Sequence, residues 1–133
     1  MNTEKIEIRV RYQETDQMGV VYYSNYLVWF EIARTDYFRK RGVVYKELEE
    51  RDKIYLPVVE ACCRYRAPIR YDDLVTVETK LTEASKSRLT FEYEVKKEAK
   101  VTTTGYTKHV FVNGSGKPIP IPENIKSSLV GRR

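Results

Sequence analysis

From Ile6 to Tyr12 the apolar residues Ile6, Ile8, Val10 and Tyr12 alternate with Glu7, Arg9 and Arg11. A period of two predicts a strand with one face buried. An irregular stretch from Gln13 to Ser24 follows, and then Asn25–Arg41 reads as a helix: Ser24 or Asn25 can cap its start, basic residues fill its last turn, and Gly42 stands at the stop. Tyr26, Leu27, Val28, Trp29, Phe30, Ile32, Ala33, Tyr37 and Phe38 make this helix apolar almost all round, so it is expected to be wrapped on most sides. A shorter, charged helix is predicted over Val44–Arg51. The rest reads as strands. Val59, Ala61, Cys63 and Tyr65 alternate with polar or charged neighbours, as do Val75, Val77, Thr79 and Leu81, then Leu89, Phe91, Tyr93 and Val95. Ala84–Ser87 is the predicted turn before the third of these. A last strand is placed over Thr102–Val112, closed by Asn113-Gly-Ser-Gly116, and the prolines of Lys117–Pro122 predict an extended tail. One strand, two helices and four strands joined by short connections imply an α+β fold, a curved five-stranded antiparallel sheet around one long apolar helix.

Composition narrows the class. A chain of 133 residues with 41% hydrophobic and 32% charged residues is a single domain, spanning 1–133, with no apolar run approaching the ~20 residues that cross a bilayer. Its polar start leads straight into a strand, so a cytoplasmic protein is expected. Cys62 and Cys63 are neighbours that point to opposite faces of a strand, a poor geometry for a disulfide. One histidine and no Cys-x-x-Cys predict no metal and no cofactor. The net charge of +5 suits an anionic partner, although acids are interleaved with the bases and only Arg39-Lys40-Arg41 and Arg132-Arg133 cluster. A nucleic-acid patch is therefore not expected.

No Gly-x-Ser-x-Gly elbow, phosphate-binding loop or dinucleotide fingerprint is present. His109 falls inside a predicted strand and reads as structural. What remains is the segment from Tyr12 to Tyr26, with Asp16 just ahead of a helix N-terminus. A carboxylate beside free amides at such a terminus is suited to acyl chemistry without a histidine.

Asp16-x-x-Gly19-x-Val21-x-Tyr23-x-Asn25-Tyr26, followed by an aromatic-rich helix, resembles the 4-hydroxybenzoyl-CoA thioesterase family of hotdog proteins and the related acyl-CoA thioesterases linked to the Tol-Pal system. The likeness extends to Glu31-x-Ala33-Arg34, Ala67–Val75, Ser85–Arg88 and Gly105–Pro122. It implies a hotdog fold and hydrolysis of the thioester of coenzyme A or acyl-carrier protein. Asp16 would be the catalytic carboxylate, the backbone N–H of Tyr23 the donor to the thioester carbonyl, and Gly19 the residue that lets the loop approach substrate. Lys86, Ser87 and Arg88 would hold the coenzyme A phosphates, while Tyr22, Tyr26 and Val59 are candidates for the acyl pocket, completed by a second chain in a homo-oligomer, a dimer or a dimer of dimers. Tol-Pal relatives often carry histidine where this chain has Tyr23, and the hydroxybenzoyl branch has tyrosine. Two other readings compete. A hotdog hydratase would need a histidine on the central helix, which Asn25–Arg41 lacks, and a non-catalytic acyl-CoA-binding module would bind without turnover.

Overall fold

The computed structural model describes residues 2–130, so the Arg132-Arg133 cluster lies outside the described residues. Its five strands are β1 (Thr3–Arg9), β2 (Val58–Tyr65), β3 (Leu74–Ser85), β4 (Arg88–Lys97) and β5 (Lys100–Val110). They form one antiparallel sheet in the order β1-β3-β4-β5-β2. β1 and β2 are therefore its edges.

The alternation read from the sequence sets the inner face. Val75, Val77, Thr79 and Leu81 of β3 and Leu89, Phe91, Tyr93 and Val95 of β4 are all buried. Against them lies helix α1 (Asn25–Lys40), which buries Tyr26, Trp29, Phe30, Ala33, Tyr37 and Phe38. Phe30 stacks on Tyr93 with ring centroids 4.2 Å apart and planes at 4°. The helix comes this close because position 105 has no side chain: a Cβ there would stand 2.6 Å from the Cys62 carbonyl oxygen and 2.7 Å from the Phe30 ring. At its far end α1 is tied to β1, where Arg41 bonds Glu4 at 2.6 Å and also covers the Tyr37 ring at 3.9 Å. Gly42, at φ +81°, ends the helix as expected.

Several expectations need correction. The sheet wraps only one side of α1, and Leu27, Val28 and Ile32 stay exposed on the other. Ser24 makes no side-chain cap, and Asn25 is the first helical residue, its amide turned back to donate to the Glu14 carbonyl at 3.0 Å. The first strand stops at Arg9, after which Tyr12–Glu14 forms a 3-10 turn that leaves Tyr12 exposed. The β3–β4 turn is tighter than read, only Lys86-Ser87 between paired Ser85 and Arg88, and Lys86 takes φ +55° to close it. β5 lies two residues earlier than expected.

The short helix α2 (Tyr45–Glu50) is present. A third helix, α3 (Glu123–Val130), was not expected. Its Ile125 and Leu129, four apart and buried, pack on the body of the fold, and the Tyr37 hydroxyl donates to the Leu129 carbonyl at 3.1 Å. No helix among the described residues is long and apolar enough to cross a membrane.

Candidate active site

Main-chain hydrogen bonds hold much of the segment between β1 and α1. The Asp16 N–H donates to the Val20 carbonyl, and the Gly19 N–H to the Asp16 carbonyl, both at 2.9 Å. The Asp16 carboxylate accepts the Met18 N–H at 2.8 Å, closing a side-chain turn. Gly19 sits at φ +81°, which a side chain would resist. Thr15 pairs with Val21, and Val20 with Arg70, so the loop is stitched both to itself and to the connection between β2 and β3. Asp16 is thus a turn residue, but a fixed and half-buried one.

Beyond the turn the chain enters α1. Asn25 donates its N–H to the Tyr22 carbonyl, while the amides of Tyr23 and Ser24 have no acceptor among the described residues. Such free donors at the start of a sixteen-residue helix are the partial positive charge of its N-terminus. Asp16, Tyr22, Tyr23 and Tyr26 together line a cleft of about 420 Å³, closed on the other side by Tyr65 and Arg66. The cleft wall is aromatic. Tyr22 and Tyr23 approach to 4.8 Å between ring centroids, and the buried Tyr26 meets Tyr65 edge-on at 5.2 Å. The Tyr65 hydroxyl donates to the Tyr23 carbonyl at 3.2 Å. The neighbouring Tyr23 phenol holds the Tyr22 phenol above its ordinary pKa, and the Asp16 charge adds a smaller push in the same direction.

The other expected residues lie elsewhere in the single chain. Val59 is 58% exposed on the edge strand β2 and does not line this cleft. Lys86, Ser87 and Arg88 sit at the β3–β4 turn. β3 starts beside the Asp16 loop, where Val10 pairs with Asp73, and runs twelve residues to that turn, up to roughly 36 Å at ~3.3 Å per residue. The structure therefore brings Asp16, Tyr22, Tyr23 and Tyr26 into one cleft, with Gly19 in the Asp16 turn but not in the cleft wall, and leaves Val59 and the basic turn apart from them. His109, as expected, is core: it is buried, its Nε2 lies 2.8 Å from the Thr107 hydroxyl, and burial, with help from the Arg34 charge, lowers its pKa to about 4.

Sequence reasoning passed over Glu14, Tyr65 and Arg66. Tyr65 and Arg66 belong to a stretch whose alternation reads as ordinary strand, and nothing local shows that its end turns into a cleft. Glu14, two residues ahead of the Asp16 motif, gave no local signal, because its burial depends on Trp29, fifteen residues away.

Comparison with known proteins identifies the family. Residues 10–129 match the thioesterase-like superfamily. The acyl-CoA thioesterase YbgC of Haemophilus influenzae is 31% identical over 123 residues, 92% of this chain and 90% of that one. A DHNA-CoA thioesterase of Staphylococcus aureus superposes with a TM-score of 0.85 at 38% identity, covering 89% of this chain and 80% of the other. A Thermus thermophilus protein, TT1821, gives 0.89 at 41% identity over 94% and 95%. With a five-stranded antiparallel sheet packed on one central helix, and a family match over nearly its whole length, the chain belongs to the thioesterase-like superfamily and has the hotdog fold.

Proposed function

We propose that this acyl-CoA thioesterase cleaves its substrate with the Asp16 carboxylate while the main-chain N–H of Tyr23 receives the thioester carbonyl oxygen. The observation that supports this most is that a fixed carboxylate and an amide without an acceptor share one aromatic cleft at a helix N-terminus. As the carbonyl carbon becomes tetrahedral, negative charge gathers on its oxygen. A preoriented N–H at the positive end of α1 stabilises that charge more than it stabilises the ground-state carbonyl. Asp16 serves this step in one of two ways. Its oxygen attacks the carbonyl carbon, the C–S bond breaks, the coenzyme A thiolate departs and water opens the resulting anhydride; or it takes a proton from water as that water attacks. Both give the free acid and the thiol.

The site is complete only in a homodimer on this reading. β2 pairs with β5 on one side alone, and its Val58, Val59 and Tyr65 are exposed. An open edge of this kind is a template for another strand. A two-fold axis near the middle of β2 would continue the sheet and carry the partner's Val59 toward Tyr65, at the rim of the cleft. The partner's basic turn could likewise approach this cleft where the chain's own turn cannot, and there Lys86, Ser87 and Arg88 would hold the phosphates of coenzyme A. Cytoplasmic residence belongs to the same reading, since acyl-CoA is the substrate.

The test is hydrolysis of an acyl-CoA panel, aliphatic and aromatic, by the wild type and Asp16→Asn. Loss of more than about tenfold in turnover, a barrier change above roughly 1.4 kcal/mol, is expected, with Tyr23→Phe nearly unaffected because its amide remains. Asp16→Asn retaining more than a tenth of wild-type turnover would overturn the assignment, and a fully active monomer by light scattering would overturn the shared site.

A further inference from the structure

The chemistry requires Asp16 and the Tyr23 amide to hold their places relative to one another, yet they belong to different elements, a turn and a helix start. One residue stands next to the first in sequence and is bonded to the second element. Glu14 stands two positions before Asp16, is only 4% exposed, and makes contacts in two directions. Its main-chain carbonyl accepts the N–H of Tyr22, immediately before Tyr23, at 2.9 Å, and the Asn25 side-chain amide at 3.0 Å. Its carboxylate accepts the Trp29 indole N–H at 3.0 Å and the Arg11 main-chain N–H at 2.8 Å, with the Arg11 guanidinium at 3.3 Å. Trp29 is itself fully buried in the first turns of α1.

We infer that Glu14 is the positioning residue of the site, a buried carboxylate that fixes the Asp16 turn against the N-terminus of α1 and so sets the placement of the carboxylate relative to the oxyanion donor. A buried charge is retained only where donors satisfy it, and three converge on this one. The donors outweigh the upward push of burial and hold the Glu14 carboxyl below its usual range, so it is ionised while the enzyme works. Without the carboxylate, the Trp29 and Arg11 donors are left unsatisfied, and the turn is tied to the helix start only through the Glu14 carbonyl and its main-chain neighbours. Displacements of about 1 Å at such a site are enough to cost roughly a hundredfold in rate.

This inference rests on the roles given above to Asp16 and Tyr23, and its test separates the two. Glu14→Gln keeps the volume but removes the charge and puts an NH2 donor in place of one of the two accepting oxygens, so the Arg11 main-chain N–H or the Trp29 indole N–H loses its acceptor. Its kcat for an acyl-CoA should fall about ten- to a hundredfold with KM within about twofold, since binding is untouched and only transition-state placement suffers. The fold is checked by circular dichroism and by a melting point above the assay temperature. Emission from Trp29, the sole tryptophan, should shift, as its indole loses an ionised partner. Should Glu14→Gln not fold, Trp29→Phe, which removes one donor and leaves the main-chain links, should still lower kcat several-fold at constant KM. Folded variants with wild-type kcat beside an inactive Asp16→Asn would refute the positioning role and leave Asp16 intact. A rise in KM at unchanged kcat would refute it as well, assigning Glu14 to binding. An active Asp16→Asn would instead remove the reading on which it depends.

Discussion

Two buried polar groups, Glu14 and His109, show how differently this fold uses its interior. Glu14 lies under the cleft, charged, with donors from Arg11 and Trp29, and its own peptide carbonyl is tied to Tyr22 and Asn25. His109 lies in the sheet beneath α1, neutral, at the end of a chain that runs from Arg34 to the Tyr93 hydroxyl at 3.1 Å, to Thr107 at 2.6 Å and to the ring. The first network holds a loop that leads to the Tyr23 and Ser24 amides, which have no acceptor among the described residues. The second fills a closed core in which Phe91 meets the imidazole edge-on. Catalytic geometry should therefore depend on the Glu14 end and stability on the His109 end.

pH separates the two most strongly. His109 has a folded pKa of about 4 against an ordinary 6.5, so its stabilisation is fully present above pH 6.5 and is lost as pH falls toward 4. Over that window the loss approaches about 3 kcal/mol at ~1.4 kcal/mol per pH unit. Glu14 is also depressed, from 4.5, so its stabilisation is present above that value and disappears only below it. The melting temperature should thus drop between pH 6.5 and 5 in the wild type and drop less in His109→Gln. Equal slopes in both proteins would mean that the imidazole is not the group responsible.

Packing gives the next largest effect. Gly105→Ala puts a methyl 2.6 Å from the Cys62 carbonyl and 2.7 Å from Phe30, so strand or helix must shift, at a cost of about 2 kcal/mol. Denaturant unfolding measures this directly. A melting midpoint equal to wild type would show that the Phe30–Tyr93 stack does not depend on the bare backbone.

The smallest effect is expected at the far turn. Lys86→Ala and Arg88→Ala should each raise KM for acyl-CoA several-fold with kcat nearly unchanged, by removing binding that ground and transition states share. Comparing an acyl-CoA with the same acyl group on a truncated pantetheine thiol sharpens it. Equal effects on both substrates would exclude contact with the phosphates.

How much of this was legible beforehand follows from how local each signal is. The alternation of β3 and β4 and the helix read over Asn25–Arg41 were plain, because both follow the period of the backbone itself. α3 was not, since eight residues after a proline-rich tail carry too few apolar positions for periodicity to register. The open face of α1 at Leu27, Val28 and Ile32 was misread as wrapped, because composition reports that a helix is apolar all round and not which chain covers it. Asp16 and Gly19 were singled out through their motif. Glu14 needed the fold, since only the fold brings Trp29 to its carboxylate.

The central claim is that Asp16 acts in chemistry and not in binding or folding. Equilibrium titration of Asp16→Asn with an acyl-CoA, followed by single-turnover hydrolysis on the same sample, tests it most directly. The variant should melt within a few degrees of wild type, bind with a Kd within a few-fold, and release thiol more than about tenfold more slowly. Hydrolysis at the wild-type rate from the bound complex, or loss of binding with the bound complex still turning over normally, would contradict it.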